Sequence, residues 1–156
     1  MEERIDSVEG IRQWTGSIPL HYEYTAGVAG ERFLRGLAQG KIQAGYCANC
    51  KEASLPLRIY CIKCYGGVER SVLVRSAGKV AALTKTQFGQ GGERLGEPVA
   101  FAYITFEGVT GGLVHRVADG VRVGSSVRPR FKPKRKRTGS ILDIEFFERD
   151  LRPRTS

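Results

Sequence analysis

The chain has 156 residues and a formal net charge of +9 at pH 7. This length can bury one core together with a small metal-stapled module, and it excludes two full domains. The amino terminus lacks the basic and then apolar profile of a signal peptide, and no apolar run approaches the ~20 residues that span a bilayer. We therefore expect a soluble, cytoplasmic protein.

The amino-terminal part of the chain predicts an arm that contains one helix. Residues 1–28 have weak periodicity and are expected to be extended or partly helical. The segment Ala29–Gln39 then has the pattern of an amphipathic helix, and Gly40 is expected to end it. The apolar residues on the predicted helical face are Phe33, Leu34, Leu37 and Ala38. A short strand from Lys41 to Tyr46 should follow.

All four cysteines lie in two Cys-x-x-Cys pairs, Cys47 with Cys50 and Cys61 with Cys64, separated by ten residues. In a reducing compartment this spacing favours metal ligation over disulfides. Ten residues suffice for a hairpin that brings the second pair opposite the first, so that four thiolates close a tetrahedron. Such a closed site leaves no position for a substrate. We predict one structural Zn(II) per chain, with iron in a rubredoxin-like role as the alternative.

From Ser71 onward the pattern predicts short strands separated by glycine-rich or charged turns. The predicted strands are Lys79–Phe88, Val99–Glu107, Gly112–Val117, Ser126–Lys132 and Ile141–Phe147. Five such strands fit a Greek-key barrel of the OB type better than a sandwich. The loop from Gly89 to Glu97 is predicted to be a mobile hairpin connection, and a lid over a ligand is the alternative.

The positive charge is concentrated near the carboxyl end. The run from Arg128 to Arg137 has seven basic residues and no acid, so it carries seven of the nine excess charges. Its two prolines predict an extended cationic loop that leaves a strand. Such a run is typical of a solvated or partner-facing segment. A site for coenzyme A phosphates or for a nucleic-acid backbone is the more specific hypothesis.

No catalytic group stands out. The two histidines, His21 and His115, have no serine or acid at a telling spacing, so a structural role is favoured. Asp143 and Glu145 alternate on the last predicted strand, where a solvated strand face is favoured over an acid and base pair. Metal ligation by every cysteine would leave no thiol for acyl transfer. We therefore expect a protein that is not an enzyme in its own right.

Several segments together resemble a two-domain zinc-ribbon/OB-fold family associated with acyl-CoA metabolism. Around the cysteines these are Phe33-x3-Leu37-x2-Gly40-Lys41, Cys47-x2-Cys50, Leu55-Pro56-Leu57-Arg58-x2-Cys61-x2-Cys64 and Gly78-Lys-Val-Ala-Ala-Leu-Thr84. Further along they are Pro98–Ile104, Val123–Pro129 and Arg137–Ile144. The opening Trp14-x-Gly16-x-Ile18-Pro19-Leu20 and the segment Tyr24–Phe33 look most like archaeal members.

The resemblance implies a helical arm over residues 1–40, a rubredoxin-like zinc ribbon over 41–70 and an OB-fold domain over 71–156. It also implies a non-catalytic partner of thiolase-superfamily enzymes. Archaeal members are similar to the small subunit that joins acetoacetyl-CoA thiolase to hydroxymethylglutaryl-CoA synthase in the mevalonate route. The four cysteines carry over as metal ligands, and no catalytic residue carries over. Lys51 and Tyr65 stand where the family often has glycine, so the metal knuckles are expected to be slightly strained or differently shaped.

The favoured function is thus a scaffold subunit of an acyl-CoA-processing complex. Six basic residues are candidates for binding coenzyme A or a partner: Arg130, Lys132, Lys134, Arg135, Lys136 and Arg137. The rival hypothesis is a single-stranded nucleic-acid or RNA-binding module, because a zinc ribbon and an OB-fold with a basic loop have that general form. The rival requires aromatic side chains interleaved with basic ones on the sheet face.

Overall fold

A computed structural model of the chain describes residue 21 and residues 23–75, 77–89 and 91–151. Most of the predicted arm before Gly27 lies outside the described residues. The described part is mainly β, with one α-helix and two single-turn 3-10 helices. No helix in these ranges is long and apolar enough to cross a membrane.

The predicted helix is confirmed as α1 (Gly27–Ala38), which buries Phe33 and Leu37. Gly40 ends it as expected, with a positive φ of 75°. The amide of Gly40 donates to the carbonyl of Leu37, and the amide of Lys41 donates to the carbonyl of Gly36. These two bonds satisfy the last helical carbonyls and turn the chain toward the first strand.

Eight strands form one sheet, in the order β3-β1-β2-β6-β5-β4-β7-β8. The three strands of the cysteine region are β1 (Gln43–Cys47), β2 (Glu52–Leu55) and β3 (Arg70–Leu73). The five that follow are β4 (Gly78–Phe88), β5 (Arg94–Phe106), β6 (Val109–Arg116), β7 (Ser126–Phe131) and β8 (Ile144–Arg149). A bridge between Val117 and Phe147 links the end of β6 back to β8.

The five strands predicted after Ser71 are present, with shifted ends. The strand β5 begins at Arg94, so the hairpin connection after Phe88 is shorter than expected. The segment Ile141–Asp143 is a 3-10 turn before β8 and not the start of a strand. The small strand β3 was not predicted, because its four residues have no alternating pattern.

A parallel pairing of β2 with β6 joins the cysteine region to the later strands, and it was not predicted. Leu55 pairs with Gly111 at the end of this ladder. Gly111 has a φ of +86°, and a Cβ there would lie 2.1 Å from the Leu55 carbonyl oxygen. Only glycine can take this conformation while leaving the two backbones in contact. The five later strands therefore continue a sheet that starts among the cysteines.

The buried residues fall into two clusters. The larger one unites α1, β1, β2 and the later strands through residues such as Leu37, Leu55, Ile104 and Phe147. The smaller one contains only Cys47, Cys61 and Val68 as buried members, with the other two cysteines packed against it. The end of the molecule that carries the cysteines therefore has almost no apolar core of its own.

The contact between Gly111 and Leu55 gives the first test. Gly111→Ala should lower the free energy of unfolding by about 2 kcal/mol more than Gly120→Ala, because both residues have positive φ but only Gly111 meets a backbone oxygen. Chemical denaturation followed by circular dichroism measures both values. Equal losses in the two variants would contradict the close approach of β2 and β6.

Candidate functional site

The four cysteines come from two tight turns that face each other. Cys47 ends β1, and Cys50 lies in the turn before β2. Cys61 and Cys64 lie in a second turn, which a bridge between Tyr60 and Gly67 closes. The predicted opposition of the two pairs is confirmed.

The distances between the sulfur atoms fit a tetrahedral metal site. The four Sγ atoms lie within 4.8 Å of one another. The Cys47 and Cys64 sulfurs are 3.7 Å apart, and the Cys50 and Cys61 sulfurs are 3.8 Å apart. Metal–sulfur bonds of about 2.3 Å in a regular tetrahedron require sulfur–sulfur distances of about 3.8 Å. The four cysteines are therefore placed to hold one metal ion.

Backbone amides already stabilise negative charge on the sulfurs. The amide of Cys50 donates to the Cys47 sulfur and that of Lys63 to the Cys61 sulfur, each at 3.4 Å. A hydrogen bond from the Gly66 amide is the largest cause that lowers the pKa of Cys64 to about 6. A hydrogen bond with Cys64 and burial raise the pKa of Cys50 to about 12. Four crowded sulfurs cannot all ionise without a cation between them, which is the chemistry of a metal site.

Lys51 and Tyr65 stand where the resembled family often has glycine, and both have the backbone conformation that glycine favours. Lys51 has a φ of +56° and Tyr65 a φ of +57°, both in the left-handed region. Such a φ costs a non-glycine residue about 1–2 kcal/mol. The expected strain is therefore located at the residue directly after the second and fourth cysteines.

One basic neighbour of the cysteines has a direct charge partner. The Lys63 ammonium lies 2.6 Å from the Glu52 carboxylate. A hydrogen bond to Glu52 and its charge raise the pKa of Lys63, and Cys50 and Cys61 add smaller contributions. The positive charge of Lys63 thus interacts mainly with Glu52 and less with the cysteine sulfurs.

An exposed apolar group surrounds the second metal turn, and sequence reasoning did not find it. We call it the knuckle patch, and its members are Ile59, Tyr60, Ile62 and Tyr65. Ile59 is 60% exposed and Tyr65 is 79% exposed. A group of exposed apolar side chains this close together in the sequence is typical of a protein contact surface. The signal in the sequence was the choice of large apolar residues in a turn that carries metal ligands.

The basic run begins in a strand, as predicted, but the part after the strand is not the extended loop that its prolines predicted. Arg128 and Arg130 lie in β7, paired across to β8, and Lys134–Lys136 form a 3-10 turn. The Arg128 guanidinium lies 2.9 Å from Glu148. Arg130 lies 3.6 Å from Glu145 and 3.8 Å from Glu148. Acidic residues on the neighbouring strand therefore offset part of the run.

Two arginines of the run cover aromatic rings. The Arg130 guanidinium lies 5.6 Å from the centre of the Phe146 ring, and that of Arg137 lies 5.2 Å from Phe131. The Arg137 Nε also donates to the Lys132 carbonyl at 2.7 Å. Lys134, Arg135 and Lys136 are exposed and have no ion pair within the part of the chain that the structure describes. The six candidate residues thus divide into two fixed arginines, a free tri-basic turn and the half-buried Lys132.

The two histidines lie in different surroundings. His115 is buried in β6, with Nδ1 3.3 Å from the Arg116 carbonyl and Nε2 3.3 Å from the Ile141 carbonyl. His21 is exposed in the described arm.

Asp143 is only 1% exposed, so the expectation of a solvated face shared with Glu145 is wrong for this residue. Its carboxylate accepts hydrogen bonds from the amides of Thr138, Gly139 and Ser140. Its backbone carbonyl accepts from the Lys132 amide. Asp143 thus ties the chain after the tri-basic turn to the start of β8, which the strand pattern could not reveal.

Comparisons with known proteins show which proteins have a similar sequence and fold. No family model matches the sequence, and no curated protein matches it. A crystal structure of a protein with unknown function from the DUF35 family of Sulfolobus solfataricus is 30% identical, with a TM-score of 0.66. The match covers 83% of this chain and 90% of that chain. The chain therefore belongs to the DUF35 family.

A second solved structure is described as the Ltp2-ChsH2(DUF35) aldolase. It is 15% identical with a TM-score of 0.57, and the match covers 76% of this chain and 91% of that chain. At this identity the likeness shows a shared fold alone.

The metal site can be tested by a single ligand change. Cys61→Ser should lose bound metal and destabilise the cysteine region, because the small cluster around Val68 cannot hold these turns by burial. Elemental analysis should find one zinc per wild-type chain and less than half of that in the variant. Ala48→Ser, an exposed neighbour of Cys47, should retain the metal. A Cys61→Ser protein with full metal content and unchanged thermal stability would contradict a structural site.

Asp143 provides a pH-dependent test. Burial, the largest contribution, raises its pKa, but the three amides and Lys132 together hold the pKa below its ordinary value of 3.8. A depressed carboxylate pKa stabilises the fold above pH 3.8, and this stabilisation is lost as the pH falls through the lower folded-state value. Asp143→Asn should therefore lower the free energy of unfolding by about 2 kcal/mol at pH 7. The change replaces one carboxylate oxygen, which accepts from backbone amides, by an NH2 group, which can only donate.

Urea denaturation at pH 7 and at pH 3 compares this variant with Glu145→Gln, an exposed control on the next strand. We expect the Asp143→Asn deficit to shrink in acid and the control to change by less than about 0.5 kcal/mol. A deficit that stays constant with pH would contradict the charged role of Asp143.

Proposed function

We propose that the protein is a non-catalytic scaffold subunit of an acyl-CoA-processing complex. Its partners are thiolase-superfamily enzymes, specifically acetoacetyl-CoA thiolase and hydroxymethylglutaryl-CoA synthase of the mevalonate route to isoprenoids. One structural Zn(II) holds a rubredoxin-like ribbon over residues 41–70, and β4–β8 act as an OB-type barrel over 71–156. Residues 1–40 form an arm that contacts a partner together with the ribbon.

Family membership supports an accessory role. The Ltp2-ChsH2(DUF35) aldolase has a DUF35 chain together with Ltp2, so a protein of this fold occurs within an enzyme assembly. Extension to this chain rests on the shared fold and on the segments that resemble archaeal members. The particular pair of enzymes follows from that resemblance.

The knuckle patch is the observation that carries the proposal. Its four large apolar side chains lie on a turn that four sulfur ligands would make rigid. Rigid apolar and aromatic side chains lose little entropy on association, so they are efficient anchors in a protein interface. We infer that the metal positions this patch against the thiolase-type enzyme.

The side chains that chemistry would require are engaged elsewhere. The four cysteines face one another, His115 lies between two carbonyls, and Asp143 accepts three amides. None of these six side chains is arranged as a nucleophile paired with a base. The arrangement supports an accessory subunit.

The nucleic-acid hypothesis receives less support. The aromatic rings beside the basic run, Phe131 and Phe146, are covered by the chain's own arginines and are not open to a base. Phe101 and Tyr103 are exposed on β5, where Tyr103 pairs across the sheet with the apolar Val114. Phe101 pairs with the exposed Arg116, and this single aromatic and basic pair is the feature of the face that a nucleic acid could use. The apolar side chains beside it fit a protein partner better than a phosphate backbone.

The basic run has a role of its own in the proposal. The exposed turn of Lys134, Arg135 and Lys136 contacts the phosphates of coenzyme A as it passes between the partner enzymes. Arg130, Lys132 and Arg137 support this turn from β7 and from the chain that leaves it. Holding two active sites close together would raise the effective concentration of the acetoacetyl-CoA intermediate.

Assembly can be tested with purified partners and a double variant of the knuckle patch. Ile59→Ser with Ile62→Ser should weaken binding to the thiolase by at least about tenfold, because two central apolar anchors are lost. Val123→Ser, which removes an apolar residue of similar exposure (62%) outside the patch, should bind normally. Surface plasmon resonance measures both affinities, and zinc content confirms that the ribbon is intact.

A coupled assay of condensation with and without this chain tests the functional claim. We expect flux from acetyl-CoA to fall when the chain is omitted or carries the double change. Unchanged flux without the chain would refute the scaffold role. Tight, steeply salt-dependent RNA binding by the wild type would favour the rival function.

A further inference from the structure

A cavity lies where the helix end, the cysteine region and the later strands meet. Its volume is about 240 Å³. Its walls are residues 40–42 after α1, residues 73–75 and 77 at and after the end of β3, Phe106 at the end of β5, and residues 128, 129 and 131 of β7. At roughly 30 Å³ for a water-sized group, this volume holds about eight such groups. The cavity is therefore large enough for a short organic chain.

The floor of the cavity is apolar and well ordered. Ile42 and Phe106 are buried, and Val74 is half-buried beside them. The Val74 amide donates to the Ile42 carbonyl at 2.9 Å, which fixes the two sides of the floor together. An aliphatic group bound against these residues would be removed from water, which is favourable.

The rim of the cavity is cationic. Lys41, Arg75 and Arg128 line it, and none of its described lining residues is acidic. Glu148 balances Arg128. Lys41 and Arg75 are exposed and have no ion pair among residues 23–75 and the other described ranges. The net charge at the rim therefore favours an anion.

A fourth cation, Arg137, contacts two of the lining residues. The Arg137 guanidinium stacks on Phe131, and its Nε is held by the Lys132 carbonyl. Its Nη1 lies so close to Gly40 that a Cβ there would be only 2.5 Å away. Gly40 therefore leaves the space that this fixed guanidinium occupies, and its charge adds to the field at the rim.

We propose that this junction cavity binds a soluble amphipathic anion, with a phosphate or carboxylate at Lys41 and Arg75 and an aliphatic segment on Ile42, Val74 and Phe106. The ligand enters this chain itself and needs no partner enzyme. The site is distinct from the tri-basic turn and from the knuckle patch. Its occupation would link α1, β3 and β7, which are far apart in the sequence.

Calorimetric titration of the zinc-loaded full-length chain with hexyl phosphate tests the site. We expect one site per chain and at least tenfold tighter binding than that of inorganic phosphate, because the chain adds apolar burial to the charge interaction. The double variant Lys41→Gln with Arg75→Gln should bind about tenfold more weakly. Lys85→Gln, which removes one positive charge at an exposed lysine outside the cavity, is the charge control for each single change.

A second variant separates the cavity from general attraction to positive charge. Ala77 lines the cavity, and Ala77→Leu should fill it while leaving every charge in place. We expect this variant to bind hexyl phosphate no better than inorganic phosphate. Equal binding of the two probes by the wild type, or full binding of hexyl phosphate by Ala77→Leu, would overturn the proposal.

A lipid headgroup is the other source of this ligand chemistry. Vesicles that contain phosphatidic acid should not displace hexyl phosphate, because Ile42 and Phe106, on which the aliphatic segment would lie, are buried. Displacement by such vesicles would overturn the assignment to a soluble ligand. Each of these results concerns the isolated chain, so it is independent of whether the proposed enzyme partners bind.

Discussion

The arrangement of four sulfur atoms around one point is the constraint on which the cysteine end of the molecule depends. Among the described residues, the small cluster at this end has only Cys47, Cys61 and Val68 as buried members, whereas the large cluster unites the helix and most of the strands. Three buried residues cannot offset the conformational entropy of two tight turns. Lys51 and Tyr65 in these turns also have a left-handed backbone conformation, which is unfavourable for residues other than glycine. Metal–sulfur bonds would supply the missing stabilisation, and they would use every thiol of the chain.

The pairing of β2 with β6 connects the cysteine turns to the rest of the sheet. Because the sheet runs without interruption from β3 to β8, the metal turns are fixed relative to the later strands. Gly111 permits this contact by allowing the Leu55 carbonyl to approach its backbone. A rigid link of this kind suits a subunit that holds partner surfaces at a defined separation. The junction cavity has walls from the chain after α1, from residues 73–75 and 77 at and after the end of β3, and from β7.

Sequence reasoning succeeded where the physical signal is local. The helix was predicted from the spacing of its apolar residues, its end from Gly40, and the opposed cysteine pairs from their spacing. The parallel pairing of Ala53 with Val109 was not predictable, because nothing in either segment identifies a partner more than fifty residues away. The burial of Asp143 was missed for the same reason, since its three amide donors belong to a turn that the strand pattern did not predict. The pairing of basic residues with Glu145 and Glu148 likewise depends on the register of β7 with β8.

The most direct test of the account is amide hydrogen exchange of the zinc-loaded chain, alone and in complex with the thiolase-type enzyme. If the metal turns present the knuckle patch to a partner, exchange in residues 59–65 should slow on binding. Residues 141–149, around Asp143 and β8, should exchange at the same rate in both states. Unchanged exchange over residues 59–65 in a complex shown to be intact would contradict this account.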